Sequence, residues 1–241
     1  MRISLSLLPS FSCRSGLDVH TISPAGQRIL AAAALEDGPI SRDVLTTRLW
    51  PDLTASRASA RLRQGLWRLN RSVPGGGLLT VSSTSVALAD DVHLDYRAAT
   101  DLYDTWACQG IPHGELRKSA RPWCSYFKHP LLAGWDEEWL TPGQEQWDTR
   151  RLRALEDLSR ACLDAGELLL ATEVADTAAE VDPLREGPRR IAIEAMVRAG
   201  EIATAHRRYQ QFEQQLDDEL GIRPSPATSA LLRTPARLVA V

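Results

Sequence analysis

Alternation opens the chain: Ile3, Leu5 and Leu7 interleave with Ser4 and Ser6, the period of a half-buried strand. A second extended piece is expected through Val19 and Ile22. Ser23 then reads as a helix N-cap with Pro24 at the first helical position. The apolar block 29–35 supplies the helix, and Gly38 is placed to stop it. Ser41 caps a second helix over Arg42–Leu49, with Ile40 positioned to staple onto Leu45 and Pro51 to end it. A third helix starts near Thr54 or Ser56 and runs to about Ser72, where Pro74 and the glycines 75–77 stop it. Leu79, Val81, Val86 and Leu88 alternate around the polar residues 82–85, which reads as a hairpin. Strands, three short helices and a closing hairpin within residues 1–95 make the order of a winged helix-turn-helix.

Beyond Asp95 the periodicity turns helical. Residues 96–148 hold five of the seven tryptophans (Trp106, Trp123, Trp135, Trp139, Trp147). A repeat follows: Ala165-Gly166-Glu167 recurs as Ala199-Gly200-Glu201, 34 residues on, with Leu163 falling on Val197 and Ala171 on Ala205. That is the period of tetratricopeptide helix pairs, in which small residues let two helices pack closely. The pattern predicts helices over 149–165, 167–181, 184–199 and 201–219, with Pro183 between pairs and Gly221 closing the last. The expected fold is mainly α with a small β component: an N-terminal winged helix-turn-helix over 1–95, then a tetratricopeptide-like helical domain over 96–241.

Charge sharpens the picture. The net charge of the 241 residues is −3. Residues 1–95 nevertheless carry ten arginines against eight carboxylates, and the remainder 18 basic against 23 acidic residues. On a helical wheel the third helix separates two faces. Ala58, Leu62, Leu66, Leu69 and Val73 share the side that would bury; Arg57, Gln64, Trp67, Arg68 and Arg71 lie opposite, with Arg61 and Arg63 on the flanks. No acid falls between Thr54 and Ser72, whereas solvated helix faces usually mix signs for i,i+4 pairing. Arginine contacts phosphates or presents its fork to guanine, and glutamine pairs with adenine, in a groove that admits one helix. Trp67 has two readings, contact with a thymine methyl or sugar and cover for a neighbouring domain. Thr47 and Arg48, ending the second helix, are candidates for phosphate contact, and Ser83 and Thr84 at the hairpin tip for the adjacent groove.

Other chemistry is weaker. Cys108-x4-His113 and Cys124-x4-His129 repeat one spacing with ligands suited to zinc. Structural zinc sites use tighter cysteine pairs, so no metal is expected, and neither is a cofactor. The sequence has no Gly-x-Ser-x-Gly elbow, no His-Glu-x-x-His and no Lys-Ser/Thr after the glycines 75–77, so no catalytic residue is assigned and no enzyme is expected. Asp136-Glu137-Glu138 reads as a helix start rather than a carboxylate site. No run approaches 18 uncharged apolar residues, and residues 1–11 do not look like a secretory signal. The four cysteines, too dispersed for a disulfide scaffold, fit a reducing cytoplasm.

At this point the chain resembles the Streptomyces antibiotic regulatory protein (SARP) family of transcriptional activators. Asp182-Pro183-Leu184-Arg185-Glu186 and the run from Asp218-Glu219-Leu220-Gly221 to Arg223-Pro224-Ser225-Pro226 look like hallmarks of the bacterial transcriptional activator domain. Leu131-Leu132-Ala133-Gly134-Trp135 through Trp139 is similar to that domain's opening segment. Ile40-Ser41-Arg42-Asp43, Leu49-Trp50-Pro51 and Ala60-Arg61-Leu62-Arg63-Gln64 resemble the family's DNA-binding helices. The resemblance spans roughly residues 3–233. It implies an OmpR-type winged helix that binds direct repeats in promoter double-stranded DNA, a homodimer on DNA, recruitment of RNA polymerase holoenzyme and control of a biosynthetic gene cluster, often for antibiotics. The rival reading is an interaction scaffold, whose tetratricopeptide surface binds a protein while the winged helix docks a protein rather than DNA. The wing departs from the family in lacking its glycine and aromatic residues, and Gly187-Pro188 predicts a late start for the helix that follows.

Overall fold

The structure is a computed structural model that describes residues 3–73 and 77–233. The helix stop expected at 74–76 lies outside the described residues. The chain forms two compact units. One runs to Leu102 and takes back Pro130–Trp147; the other comprises Tyr103–His129 and the chain from Asp148 onward.

In the first unit, β1 (Ile3–Ser6), β2 (Ser12–Ser15), β3 (Asp18–Val19) and β7 (His93–Leu94) make a sheet of order β3-β2-β1-β7, antiparallel except for the parallel β1–β7 pair. The alternation expected from the sequence holds, since Leu5 and Leu7 are fully buried. Strand β2 was not legible: its residues Ser-Cys-Arg-Ser offer one apolar side chain. β7 leads into α4 (Asp95–Gln109), and Asp95 ties the two to β1. Its Oδ1 accepts from Leu7 N (2.8 Å) and Tyr96 N (2.7 Å), its Oδ2 from Leu8 N (3.2 Å). Burial pushes this carboxyl up, against hydrogen bonds that pull it down. Asp95→Asn puts an amide donor against one of these N–H groups. It should cost about 1–3 kcal/mol, read by chemical denaturation.

Helices α1 (Pro24–Ala34), α2 (Arg42–Leu49) and α3 (Ala55–Ser72) follow the expected order. Ser23 and Ser41 cap α1 and α2, accepting from Gly26 N (3.3 Å) and Val44 N (3.2 Å). The first helix ends at Ala34, before Gly38. Ile40 belongs to a two-residue strand, β4 (Ile40–Ser41), that the sequence did not announce. β4 joins β5 (Leu79–Val81) and β6 (Ser85–Leu88) in a sheet of order β4-β6-β5, with Val81 opposite Val86 and Leu79 opposite Leu88. The returning segment binds β1's continuation: Leu132 N donates to Leu7 O (2.9 Å), and Trp135 stacks on Phe11.

In the second unit, α5 (Leu116–Phe127), α7 (Leu168–Val181), α8 (Glu186–Arg198) and α9 (Ile202–Leu220) pack with the later part of α6 (Thr141–Asp164). The expected start of α6 at residue 149 is late by two turns. α8 begins at Glu186, two residues after the expected 184 but ahead of Gly187-Pro188, so those residues do not delay it. Pro188 falls in the first turn, where its missing N–H has no intrahelical partner to lose. The 34-residue repeat is geometric as well as sequential. Gly166 and Gly200 both stand at positive φ (76° and 82°). Glu167 N reaches back to Cys162 O and Glu201 N to Met196 O, each at 2.9 Å, while Gly166 N and Gly200 N donate to Leu163 O and Val197 O, each at 3.1 Å. Both are Schellman turns, which need a residue able to take the left-handed conformation. Ala171 and Ala205 are fully buried one turn later. Leucine at either should overpack the helix crossing and cost about 1–3 kcal/mol, measured by denaturant titration.

After Gly221 (φ 65°) closes α9, a short helix α10 (Pro226–Ala230) folds back. Glu186 holds it. Its carboxylate accepts from Ser225 N (3.0 and 3.1 Å) and from the Ser225 and Thr228 hydroxyls.

Candidate nucleic-acid interface

Helix α3 shows the two faces its sequence separates. Ala58, Leu62, Leu69 and Val73 are buried, and Gly65 replaces Leu66 as the fifth inward position. A Cβ on Gly65 would stand 2.5 Å from Ile29 Cδ1, and one on Gly26 would stand 2.8 Å from Leu69 Cδ2. These two glycines let α1 and α3 approach closely. The packing fixes the rotation of α3 about its axis and turns the opposite face outward.

That face carries Arg57, Arg61, Arg63, Gln64, Trp67, Arg68 and Arg71, all exposed. Arg57, Gln64 and Arg68 line one shallow hollow with Arg61, floored by Ala25, Ala60 and Gly65. Arg61 lies over the Trp50 ring at 5.9 Å from its centroid, and Arg71 over Trp67 at 4.8 Å. Trp67, 59% exposed, lies away from that hollow, beside Leu79 and Val81 of the hairpin. Among the described residues none of the five arginines makes an ion pair with a carboxylate. Elsewhere in the chain arginines are routinely neutralised: Arg28, Arg121, Arg185 and Arg208 all meet carboxylates.

The other candidates divide. Thr47 is exposed on α2, while Arg48 is half-buried and its Nη1 donates to Glu36 Oε1 (2.5 Å), so its charge is already compensated. Ser83 and Thr84 are exposed at the hairpin tip. The tip is ordered by Ser82 Oγ, which accepts from Ser85 N (2.9 Å) and Thr84 N (3.2 Å). Thr84 O accepts from Arg42 N (2.8 Å), which ties the wing to the start of α2.

Sequence reasoning missed the supporting contacts. Arg28 Nη2 donates both to Leu49 O (2.8 Å), at the end of α2, and to Glu137 Oε2 (2.6 Å). Glu137 also accepts from Trp139 Nε1 (2.9 Å). The acidic triplet at 136–138 therefore includes a brace for α1 and α2; it precedes α6, which begins at Thr141. Among the described residues no three His, Cys, Asp or Glu side chains gather to hold a metal. Cys124 is largely shielded, its thiol pushed up by burial, while Cys108 is exposed. Elemental analysis should find no stoichiometric zinc, and a chelator should leave the melting temperature unchanged. Among the described residues no helix is long and apolar enough to cross a membrane.

A helix packed by its glycines, a braced helical pair and a β-hairpin wing, followed by paired helices, define a winged-helix protein with a helical-repeat domain. Residues 89–234 match the bacterial transcriptional activator domain, and the chain belongs to that family, in agreement with its SARP-like motifs. The family is one of transcriptional regulators, not enzymes. The chain is 29% identical over 229 residues to the regulatory protein AfsR of Streptomyces coelicolor, covering 92% of this chain and 23% of that protein. Its fold is similar to that of Mycobacterium tuberculosis EmbR, solved in complex with a low-affinity phosphopeptide. The TM-score is 0.72 at 20% identity, covering 96% of this chain and 64% of EmbR. The chain thus spans about a quarter of the length of AfsR and about two thirds of EmbR.

Proposed function

We propose that this chain is a cytoplasmic, sequence-specific transcriptional activator in which residues 1–95 bind double-stranded DNA and residues 96–241 serve activation. The observation that carries this reading is the face of α3: five exposed arginines with no carboxylate partner among the described residues, set beside Gln64 on a helix whose rotation is fixed by packing. A face of one sign is self-repulsive until a polyanion meets it. Phosphates supply that charge, and the major groove accepts one helix. Gln64 and Arg68, central on α3, read base edges; Arg57 and Arg71, nearer its ends, hold phosphates. Thr47, Ser83 and Thr84 add backbone contacts from α2 and the wing.

The family likeness supports binding to promoter direct repeats as a homodimer, recruitment of RNA polymerase holoenzyme and control of a biosynthetic cluster such as one for an antibiotic. The test is the salt dependence of binding to promoter duplexes drawn from the gene's own neighbourhood. Log K should fall against log salt with a slope of about −3 or steeper, as expected when several phosphate contacts release counterions. A docking module on a protein scaffold would give a flat line and no preference among duplexes.

A further inference from the structure

The aromatic segment that follows residue 102 builds a second site, made wholly of residues of the helical unit. The last turns of α4 and of α6, with the loop between Gly110 and His113, line an open hollow of about 290 Å³. Tyr103 and Trp106 give it aromatic surface, and Ala107, Ile111 and Ala161 add apolar surface. The wall is firm. Trp106 is 6% exposed, with Trp123 edge-on at 5.4 Å between centroids and Phe127 tilted against it at 5.5 Å.

Two carboxylates at this cavity have no ion-pair partner among the described residues, although His113 and Arg160 also line it and Arg153 lies near enough to act on Asp157. Asp157 and Asp164 both line it and both reach solvent. They lie seven residues apart on α6, two turns along one face. Neither makes an ion pair among the described residues. Arg160, which also lines the cavity, is engaged with Glu194 (3.2 Å), whose carboxylate takes Arg198 as well (2.5 Å). Desolvation and the neighbouring Glu156 push the Asp157 carboxyl up, with Arg153 only partly offsetting them. The Tyr103 phenol is pushed up too, first by desolvation and then by the charge of Asp157.

We propose that this cavity is a socket for an arginine side chain presented by a partner protein. The aliphatic stem lies on the alanine and isoleucine surface, the planar guanidinium meets the aromatic wall, and Asp157 accepts its hydrogen bonds while Asp164 strengthens the field. Arginine fits better than lysine because a guanidinium is weakly hydrated and stacks on aromatic faces, whereas an ammonium holds its water. Arg150, outside the cavity lining, lies 6.0 Å from the Tyr103 ring centroid, so a guanidinium already pairs with this ring within the chain. Apolar walls with a few converging polar groups are the general form of a small recognition pocket.

The test uses the full chain and a capped Ala-Arg-Ala peptide, with its citrulline counterpart as the neutral isostere, followed by calorimetry and by the tryptophan indole N–H signals in NMR. The arginine peptide should bind saturably at one site per chain. The citrulline peptide should bind at least tenfold more weakly, as should the arginine peptide to Asp157→Asn; Asp164→Asn should weaken binding less. Ala107→Leu, at an exposed position on the cavity wall, should block binding without lowering the melting temperature. Duplex binding should be unchanged in all three variants, which separates this socket from the α3 face. Equal binding of the arginine and citrulline peptides overturns the proposal. So does undiminished binding by Asp157→Asn and Ala107→Leu, or the absence of saturable arginine-peptide binding to the unaltered chain.

Discussion

Alanine at Gln64 or at Arg68 is expected to cost about 1–3 kcal/mol of binding at the preferred duplex while sparing random DNA. Both side chains are exposed near the middle of α3 and face the same hollow, and neither has a role in the core that would make truncation a folding defect. Alanine at Arg57 or Arg71 is expected to behave differently. Each should weaken binding to every duplex similarly and lower the salt slope by about one, the signature of a lost phosphate contact. Arg71 has a second contact, its guanidinium lying over the Trp67 ring at 4.8 Å from the centroid. Arg48→Ala should change the slope least, because Glu36 already neutralises that charge. Titration of folded single variants against specific and scrambled duplexes, at several salt concentrations, separates the two classes.

The largest expected loss of stability comes from Glu186→Ala. Its carboxylate accepts from Ser225 N, Ser225 Oγ and Thr228 Oγ1, and Thr228 is fully buried. Removing it leaves those donors without their acceptor and releases α10 from α8. Hydrogen bonds to a charged group are worth more than neutral ones, so the cost should be roughly 2–4 kcal/mol. Burial alone would raise the Glu186 pKa, but the hydrogen bonds of Ser225 and Thr228 together outweigh it and hold the group below the ordinary glutamate range. The sign of the pH dependence follows. A depressed folded-state pKa contributes stability that is present above the unfolded value and is lost as pH falls through the folded one. Denaturant titrations between neutral and acid pH should therefore show the difference between parent and Glu186→Ala shrinking below the ordinary glutamate range.

This contact also joins two separated motifs that resemble the family's hallmarks. Asp182-Pro183-Leu184-Arg185-Glu186 and Arg223-Pro224-Ser225-Pro226 are 39 residues apart at the Glu186–Ser225 hydrogen bond, yet form one joint. Likeness to a family exposed the residues; only the folded chain shows their partnership. The local signals were legible wherever one element's own period decides its fate. Ser23 and Ser41 as caps, the two faces of α3, the β5–β6 hairpin and the paired Gly166 and Gly200 turns all belong to this class. Long-range pairings were not. β2 and β4 exist because β1 and β6 are there to receive them, and neither carries an alternating apolar pattern of its own. The return of Pro130–Trp147 to the first unit rests on backbone hydrogen bonds such as Leu132 N to Leu7 O, which leave no trace in local periodicity.

The candidate interface shows the same division. The outward face of α3 follows from helical spacing alone, whereas its fixed rotation depends on Gly26 and Gly65 meeting Leu69 and Ile29 from another helix. The compensation of Arg48 by Glu36, across the turn between α1 and α2, was equally hidden. Asp136-Glu137-Glu138 was visible as an acidic triplet, but Glu137 acquires its meaning from Arg28, 109 residues away.

Site-specific photocrosslinking on operator DNA addresses the α3 face most directly. A photoreactive side chain at Gln64 should join the protein to bases of the preferred duplex, and one at Arg57 or Arg71 should crosslink to the flanking backbone. The same group at the exposed Leu169, on the helical-repeat domain, serves as the control and should give no base adduct. Adducts confined to Leu169, or none from any position on α3 under conditions where the duplex is bound, would contradict the assignment of this helix as the reading element.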